Sequence, residues 1–469
     1  MRLLCIIIFF VFCVAAMMGT TGCANIVPPA GGPRDSLPPR LVRASPPDSS
    51  INFGASRVAL EFDEFIDLKD LQKNVLFTPT FETSPRIEVR LRNMTIIFKD
   101  TLERNTTYTL NFGNALVDIN ESNPLRNFTY TFSTGPVLDS LSLTGNVTNA
   151  EDGSIDTTLL VLLYRNLEDS AVQNTRAPYI ARLNTAGDFR LVNLPTGQYK
   201  IYALAESGGR NYLSKTQSFA FWDSIVTVGD NQTTPVRLFA YKERPQATAA
   251  NTPAPAVPVS GITKGAERRL RLGFTSSPLD IGKPITLTAD APLRRVDSAA
   301  IRFTDTSFNA LPFQPLLDST RRTLTINAAL TPGGKYKLIL NQDFAEDSLG
   351  RKLLKSDTLD FSVKATSEYG SAHVRLQGLD TTVPAVLQWV QNNSVVHAVP
   401  VVNNAARLEL IQPGDFTLRI LYDRNGNGVW DPGSFPSPKR QPERALPLSK
   451  TISVKAGFTS ELDVQVPPL

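Results

Sequence analysis

The chain has 469 residues, enough for about three or four domains of roughly 100–150 residues each. With 42% hydrophobic and 20% charged residues, its composition is that of a globular protein, not of a disordered or multi-span membrane protein. The formal net charge of +4 is close to neutral for this length, and no polybasic block occurs. Nucleic acid is therefore excluded as an expected partner.

Histidine and cysteine are scarce, and this excludes several reaction classes. The two histidines, His373 and His397, both lie in strand-like segments without a nucleophile motif nearby. Cys5 and Cys13 lie in the opening apolar segment, which leaves Cys23 for the rest of the chain. A Cys/His zinc site needs three or four ligands together, and a catalytic triad needs a correctly placed imidazole. The sequence therefore predicts no catalytic residues.

Residues 1–22 have the pattern of a secretory signal. Arg2 precedes an unbroken apolar stretch over Leu3–Ala16, which is too short to span a bilayer. Small residues then lead into Cys23, and this arrangement resembles a bacterial lipoprotein signal. The resemblance implies that Cys23 is acylated and becomes the mature N-terminus; an ordinary signal peptide that leaves a free thiol is the alternative. The Pro- and Gly-rich residues 23–36 are typical of an extended tether.

From residue 40 onwards, short segments of alternating apolar and polar residues predict β-strands. They are rich in β-branched and aromatic residues and are bounded by Pro, Gly, Asn and Asp, which is typical of antiparallel sandwiches. One short helix is predicted over Leu68–Val75, with Asp67 as its N-cap. The clearest strand segments are 57–62, 86–91, 94–98, 108–112 and 128–132.

The chain also repeats its own pattern in the order A-B-A′-B′. In the two A modules, the spacing from Leu102 to Tyr108 equals that from Leu330 to Tyr336, and an aspartate follows in each. In the two B modules, Gly197, Tyr199 and Ile201 correspond to Gly414, Phe416 and Leu418. We divide the chain into module A (37–135), module B (136–245), a Pro/Ala/Thr linker (246–259), module A′ (260–365) and module B′ (366–469).

Module A resembles the SbsA-type bacterial Ig-like domain on the segments PPRLVRASPPDSS, FDEFID, LERNTTYTLNFGNALVDIN and FTYTFSTG. Module A′ shares the pattern more loosely. The B modules resemble carboxypeptidase-regulatory or transthyretin-like sandwiches, on GDFRLVNLPTGQYKIYAL above all. These resemblances imply an all-β fold of tandem Ig-like and transthyretin-like antiparallel β-sandwiches. They do not settle activity, because such domains serve many functions.

Three acids in FDEFID are the candidates for hydrolytic chemistry. A glycosidase needs two carboxylates facing each other across a substrate, about 5–10 Å apart. Asp63 and Glu64 are neighbours and are expected to point to opposite faces of a strand, with Asp67 shortly after. The sequence favours a structural role for all three.

The segment DRNGNGVWDPG places oxygen-bearing side chains at alternating positions of a tight turn. Asp423, Asn425, Asn427 and Asp431 match positions 1, 3, 5 and 9 of a calcium loop, with Gly428 at the bend. The position usually filled by a bidentate Glu is a serine, and no helix flanks the segment. Calcium is the one cofactor that the sequence suggests; the alternative is a metal-free Asn-Gly turn.

A tripeptide recurs along the chain in which Asp is followed by Ser or Thr and then by a small residue, an aliphatic residue or Thr. Some Gram-negative bacteria use this pattern as an O-glycosylation signal, although it is also a common way to lead from a turn into a strand. It starts at Asp35, Asp100, Asp139, Asp156, Asp169, Asp223, Asp297, Asp318, Asp347, Asp357 and Asp380.

Together these features predict a non-enzymatic, lipid-anchored protein of the bacterial cell envelope that acts as a spacer or binding module. We expect it on the outer membrane, facing the periplasm, because no acidic cluster follows Cys23. Its expected partners are the membrane, through the acyl anchor, and an envelope protein or glycan. A carbohydrate-active hydrolase with Ig-like appendages and a subunit of a larger envelope assembly are the alternatives.

Overall fold

A computed structural model describes residues 35–206, 210–229, 235–243, 269–275 and 277–468. The chain forms two compact units, Met1–Asp139 and Ser140–Leu469, which are considered separately below. Cys23, the predicted signal, the predicted tether up to residue 34 and the predicted linker lie outside the described residues. In the described part of the chain, no helix has the length and hydrophobicity needed to cross a membrane.

From residue 35 onwards, unit 1 is a β-sandwich formed by nine strands. Its sheets have the orders β1-β2-β6-β5 and β4-β7-β9, and β3 pairs with β8. In RVALEF, strict alternation turns Val58, Leu60 and Phe62 inward, where they join one hydrophobic core. The strands are β1 (Leu41–Ser45), β2 (Arg57–Phe62), β3 (Ile66–Leu68), β4 (Leu76–Thr78), β5 (Arg86–Arg90), β6 (Asn93–Ile97), β7 (Thr107–Asn111), β8 (Leu116–Asp118) and β9 (Thr129–Ser133).

The helix predicted over Leu68–Val75 is wrong at its start. Helix α1 covers Leu71–Asn74 alone, and its N-cap is Asp70 in a left-handed conformation (φ 49°). The residues before it pair as β3 with β8, so they are unavailable to a helix. Asp67 lies in that strand, and its Oδ1 accepts a hydrogen bond from the N–H of Leu68 (2.8 Å) instead of capping a helix.

In unit 2, module B folds into two sheets around its own core. One has the order β13-β10-β17, and the other β12-β11-β14-β15, with β16 also paired to β14. A short helix, α2 (Ala171–Asn174), follows β11. The strands are β10 (Leu141–Asn149), β11 (Leu159–Tyr164), β12 (Tyr179–Arg182), β13 (Asp188–Leu194), β14 (Gly197–Ala205), β15 (Phe219–Phe221), β16 (Val226–Val228) and β17 (Val236–Ala240).

Module A′ has a separate core and sheets of the orders β18-β19-β23-β22, β21-β24-β26 and β20-β25. A 3₁₀ helix covers Ser298–Ala300. The strands are β18 (Leu272–Phe274), β19 (Ile285–Ala289), β20 (Leu293–Val296), β21 (Ile301–Asp305), β22 (Phe313–Leu317), β23 (Thr323–Ala328), β24 (Lys335–Leu340), β25 (Ala345–Asp347) and β26 (Asp357–Ser362).

Module B′ repeats the sheet arrangement of module B, with the orders β30-β27-β33 and β29-β28-β31-β32 around a fourth core. A 3₁₀ helix, Thr366–Glu368, precedes it. The strands are β27 (Gly370–Gln377), β28 (Ala385–Gln391), β29 (Ser394–Pro400), β30 (Ala405–Ile411), β31 (Gly414–Tyr422), β32 (Arg444–Val454) and β33 (Thr459–Gln465).

The all-β sandwich fold is confirmed, but each B module contains a parallel pair of strands. β10 pairs in parallel with β17, and β27 pairs in parallel with β33. In each B module the first strand therefore lies beside the last strand, which requires a long connection between them. No local sequence pattern predicts that the first and last strands of a B module pair.

The A modules share two structural devices that explain their repeated residues. The hydroxyl of Tyr108 accepts a hydrogen bond from the N–H of Glu103 (2.9 Å), and that of Tyr336 accepts one from Thr331 (2.8 Å). Each tyrosine thus fastens the segment five positions before it, as in the tyrosine corner of Ig-like sandwiches. In both modules, a buried aspartate then accepts backbone hydrogen bonds from the loop that follows it; these are Asp118 and Asp347.

Candidate functional site

The loop that joins β31 to β32, residues 423–443, contains every residue of the predicted calcium site. Asp423 is 2% exposed. Its Oδ1 accepts hydrogen bonds from the N–H groups of Gly426 (2.8 Å) and Asn427 (3.2 Å), and its Oδ2 accepts one from Gly428 (2.7 Å). Both oxygens of this buried carboxylate are therefore used to hold the turn.

The other three predicted ligands bond within the same turn. The Nδ2 atoms of Asn425 and Asn427 donate to Oδ2 of Asp431, at 2.5 and 2.8 Å. The Oδ1 atoms of the two asparagines accept from the N–H groups of Asn427 and Val429. Within the described ranges, no group of three or more His, Cys, Asp or Glu residues could hold a metal ion. The structure brings the four residues together, and calcium binding by them stays a prediction.

Glu443, which sequence analysis missed, closes the loop from its far end. Its Oε1 accepts from the N–H of Arg424 (2.8 Å) and its Oε2 from that of Asp431 (3.1 Å). Its carbonyl oxygen accepts from Nε1 of Trp430 (2.7 Å). Burial raises the pKa of Glu443, and the charges of Asp423 and Asp431 add to that rise. Glu443 lies at the opposite end of the loop from Asp423, so no local spacing of residues could predict its contacts.

The β31–β32 loop also docks on module B through Phe435, which is 1% exposed. The Phe435 ring centroid lies 5.0 Å from that of Phe219 and 5.2 Å from that of Phe221. Tyr202 and Tyr212 meet it edge-on at 5.8 and 5.9 Å. Burying a phenylalanine in this way stabilises the junction by about 1.5–3 kcal/mol. The contact explains why both faces of the module B sheet are buried at this point.

Glu243 fixes the backbone beside this aromatic contact. Its Oε1 accepts from the N–H of Phe435 (2.9 Å) and from the hydroxyl of Tyr212 (3.3 Å). Its Oε2 lies 3.1 Å from Nζ of Lys215. The buried carboxylate of Glu243 therefore accepts a hydrogen bond from module B′, and the ammonium group of Lys215 neutralises its charge.

Asp169 forms a second polar link between the two modules. Its carboxylate lies 2.9 Å from Nζ of Lys200, in module B, and 3.1 Å from Nζ of Lys439, in the β31–β32 loop. Burial acts to raise the pKa of Asp169, but the hydrogen bonds and charges of the two lysines outweigh it and lower the pKa. The ammonium group of Lys439 also lies over the ring of Phe221, at 5.3 Å.

Two backbone features complete the junction of modules B and B′. The N–H of Ala445 donates to the carbonyl of Ala150 (2.8 Å). Gly433 approaches Tyr241 so closely that an added Cβ would lie 2.6 Å from its ring. The turn therefore requires a glycine where it crosses module B.

Module A′ contacts module B′ through Asp280. The hydroxyl of Tyr369 donates to its Oδ1 (2.8 Å), and Nε2 of Gln412 donates to its Oδ2 (2.7 Å). Lys364 forms an ion pair with the same carboxylate at 2.8 Å. All three modules of unit 2 are thus connected by direct polar contacts.

Two of the three acids of FDEFID, Asp63 and Asp67, accept hydrogen bonds from the backbone. The expectation that Asp63 and Glu64 point to opposite faces of a strand is wrong, because β2 ends at Phe62 and both residues lie in the turn that follows it. Oδ1 of Asp63 accepts from the N–H of Arg40 (2.7 Å). Burial raises the pKa of Glu64, and Asp118 and Asp63 raise it further.

His397, on the edge strand β29, lies 6.5 Å from the ring of Phe416, and burial lowers its pKa. His373 lies within β27.

Several of the Asp-Ser/Thr tripeptides are turns closed by their own side chains. In three of them, the hydroxyl two positions after the aspartate donates to the carboxylate at 2.6 Å. The residue between them, the acceptor of the predicted O-glycan, is exposed in each case. The turn interpretation thus holds at these places, and glycosylation stays a prediction. The tripeptides are those at Asp156, Asp318 and Asp380.

Comparison with known families identifies one domain. Residues 35–134 match the bacterial Ig-like domain family, so module A is an Ig-like domain by sequence as well as by fold. The comparison with proteins of curated function found no match.

Several solved structures are similar to this chain. They include the Bacillus anthracis TIE protein (10% identity over 94% of this chain and 76% of that chain, TM-score 0.17). The major pilin subunit of Bacillus cereus (9% identity, 70% and 100%, TM-score 0.17) is another. Domains 1–6 of the surface layer protein SbsC match at 14% identity, over 92% of this chain and 55% of that structure, with a TM-score of 0.17. Similarity at this level carries no argument about function.

Proposed function

We propose that this protein is a non-enzymatic cell-envelope protein, anchored by a lipid on Cys23, whose β-sandwich modules act as a spacer or binding module. In this proposal the SbsA-type and transthyretin-like assignments describe its modules, and the chain sits on the outer membrane, facing the periplasm. The observation that carries the spacer role is the B–B′ junction. Phe435, Glu243 and Asp169 hold together modules that are far apart in sequence, as a support of fixed shape requires.

Membrane fractionation tests the anchor. Changing Cys23→Ala removes the proposed acylation site, so the protein should move from the membrane to the soluble fraction. Cys13→Ala is the matched control, because it changes a cysteine within the apolar signal and should leave the protein in the membrane fraction. Equal membrane association of both variants would exclude the lipid anchor.

The hydrolase alternative has less support, because Asp63 already binds the backbone at Arg40. A screen against polysaccharides and peptidoglycan fragments tests it. Turnover that disappears in Asp63→Asn would overturn the non-enzymatic proposal, and no turnover would support it.

A binding role finds support in the edge strand β29. This strand has one sheet neighbour, β28, and exposes Val395 and Val396 (41% and 43%). Such an edge can accept a strand from a partner. Pull-down of the full-length protein from detergent-solubilised membranes should recover an envelope protein, and Val396→Lys should reduce the recovery. Phe458→Lys, at another exposed apolar residue, is the control and should leave recovery unchanged.

A further inference from the structure

Four exposed apolar side chains lie at one end of module A, and we call them the apolar tip. They are Leu37, Phe65, Leu91 and Ile119, each between 45% and 70% exposed. The carbonyl oxygen of Leu91 accepts a hydrogen bond from the N–H of Ile66 (3.0 Å). That of Phe65 accepts one from the N–H of Ile119 (3.0 Å), so the turns after β2, β5 and β8 meet here. Clustered exposed apolar side chains mark a surface that contacts a protein or a membrane.

Leu91 is held in the apolar tip by an unfavourable backbone conformation. It is the first residue of the two-residue turn between β5 and β6, and its φ is 55°. Such turns prefer Gly, Asn or Asp, because the left-handed region is sterically costly for other residues. An exposed leucine in this conformation is doubly unfavourable in water. Strain of this kind is typical of residues with a binding function.

The chain enters module A at the same end. In the loop that follows β8, Nδ2 of Asn123 donates to the carbonyl oxygens of Asp35 (3.1 Å) and Leu37 (3.3 Å). The proposed lipid anchor is Cys23, twelve positions before Asp35. A chain of that length spans at most about 43 Å. The apolar tip therefore lies at the end of module A to which the anchor is joined, within a short reach of the lipid.

The charges beside the apolar tip favour one kind of lipid. Glu64 precedes Phe65, and Glu121 lies two positions after Ile119. Carboxylates repel anionic headgroups, whereas the ammonium group of a zwitterionic headgroup attracts them. The guanidinium carbon of Arg92 lies 5.4 Å from the ring centroid of Phe65, where it can bind the phosphate of the same headgroup. The tip therefore suits a zwitterionic lipid surface better than an anionic one.

We propose that the apolar tip of module A inserts into the surface of a membrane rich in zwitterionic lipids. Phe65 and Leu91 reach below the headgroups to the acyl chains, as the apolar side chains of interfacial segments do. The inference rests on the proposed lipid anchor, which brings this end of the module to the membrane. The anchor alone would leave module A free to turn, whereas the anchor and the tip together fix its orientation on the membrane.

Fluorescence quenching in vesicles tests the contact. The full-length lipidated protein is reconstituted into phosphatidylcholine vesicles whose acyl chains carry bromine, which quenches tryptophan on contact. The tryptophan of Leu91→Trp should lose most of its emission. Ile51→Trp is the matched control, because Ile51 is also exposed (48%) but follows the other end of β1. Its added emission should stay unquenched. Equal quenching at the two positions would overturn the proposal.

Flotation with phosphatidylcholine vesicles separates failure of the contact from failure of the anchor. Cys23→Ala should float more weakly than the wild type, and adding Leu91→Ser should weaken its binding by about a further tenfold. Adding Ile51→Ser instead should have no effect. Tip-dependent flotation that is equal in wild type and Cys23→Ala would exclude the anchor and support the contact.

Two other results would overturn the proposal. If the wild type floats but the tryptophan of Leu91→Trp is not quenched, the anchor stands, and the apolar tip faces a protein partner instead of lipid. If adding phosphatidylglycerol, an anionic lipid, strengthens the flotation of Cys23→Ala, the assignment to a zwitterionic surface is wrong.

Discussion

Modules B and B′ have the same two sheets, but the loops that leave β14 and β31 differ. After β14, Glu206 forms a surface ion pair with Arg210 at 3.2 Å, and its side chain is 38% exposed. After β31, the corresponding Asp423 is buried and holds three backbone amides. Asp423 is shorter than Glu206 and is followed by Asn and Gly residues. It therefore bonds to the backbone of its own loop, whereas Glu206 forms an ion pair at the surface.

The two loops are complementary at the junction. The loop of module B contributes Tyr212 to the aromatic pocket, and the loop of module B′ contributes Phe435 to fill it. The sandwich framework therefore sets the positions of the loops, while the loop residues decide which module each one contacts. Four experiments test this difference, beginning with the one of largest expected effect.

Removing the ring at the centre of the junction should have the greatest effect on stability. Phe435→Ala is expected to lower the free energy of unfolding of unit 2 by about 3 kcal/mol, because it leaves a cavity among four aromatic rings. Denaturant unfolding of the full-length protein measures the change. Phe458→Ala, at a ring that is 68% exposed, should change it by less than about 0.5 kcal/mol. Similar losses in both variants would contradict a buried role for Phe435.

Substitution of the buried Asp423 should destabilise the protein more than substitution of the exposed Glu206. Asp423→Ala is expected to cost about 2 kcal/mol, since three backbone donors lose a charged acceptor. Glu206→Ala should cost less than about 0.5 kcal/mol, because exposed ion pairs contribute little. Thermal melts of the two variants provide the comparison. If Glu206→Ala proved the more damaging change, the loops would not differ as described.

Asp169 should make the junction sensitive to acid. Its pKa is lowered in the folded protein, so its stabilising effect is present above the unfolded value, near 3.9, and is lost as the pH falls through the folded pKa. Asp169→Asn is expected to cost about 1 kcal/mol at neutral pH, a modest value because the carboxylate is partly exposed. The stabilities of wild type and D169N should converge below about pH 4. A constant difference from pH 7 to pH 2 would contradict this assignment.

Calcium should have the smallest effect. The oxygens of the Asp423 turn already accept hydrogen bonds, and the weak affinity expected of such a loop is about 10⁻⁴–10⁻³ M. At a calcium concentration equal to the dissociation constant, binding would add about 0.4 kcal/mol. Melting of the full-length protein in EDTA and in millimolar calcium measures it, with Asp431→Ala as the variant that should not respond. Identical wild-type curves in both buffers would leave a metal-free turn.

Local patterns predicted the strands well, because alternation is a local property. The segment 57–62 is β2 residue for residue, and the Tyr108 and Tyr336 spacing marks equivalent corners. The same alternation could not reveal the parallel neighbours, β10 with β17 and β27 with β33, since these pairings join the ends of each module.

The candidate site was predictable only in part. Asp423 and the asparagines stood out through their spacing, whereas Glu443 acts from the far end of the loop. Phe435 and Glu243 are 192 positions apart, with the whole of module A′ between them, so no local sequence pattern predicts their hydrogen bond. The sequence around Arg444 likewise predicts only a strand, and it gives no sign of the contact between its guanidinium group and the ring of Phe239.

The position of module A′ has a mechanical consequence. It lies between modules B and B′ along the chain, yet those two modules touch directly through Phe435 and Asp169. A pulling force on the two ends of unit 2 therefore crosses this contact instead of running through module A′. The chain length of module A′ can be extended fully only after this contact breaks.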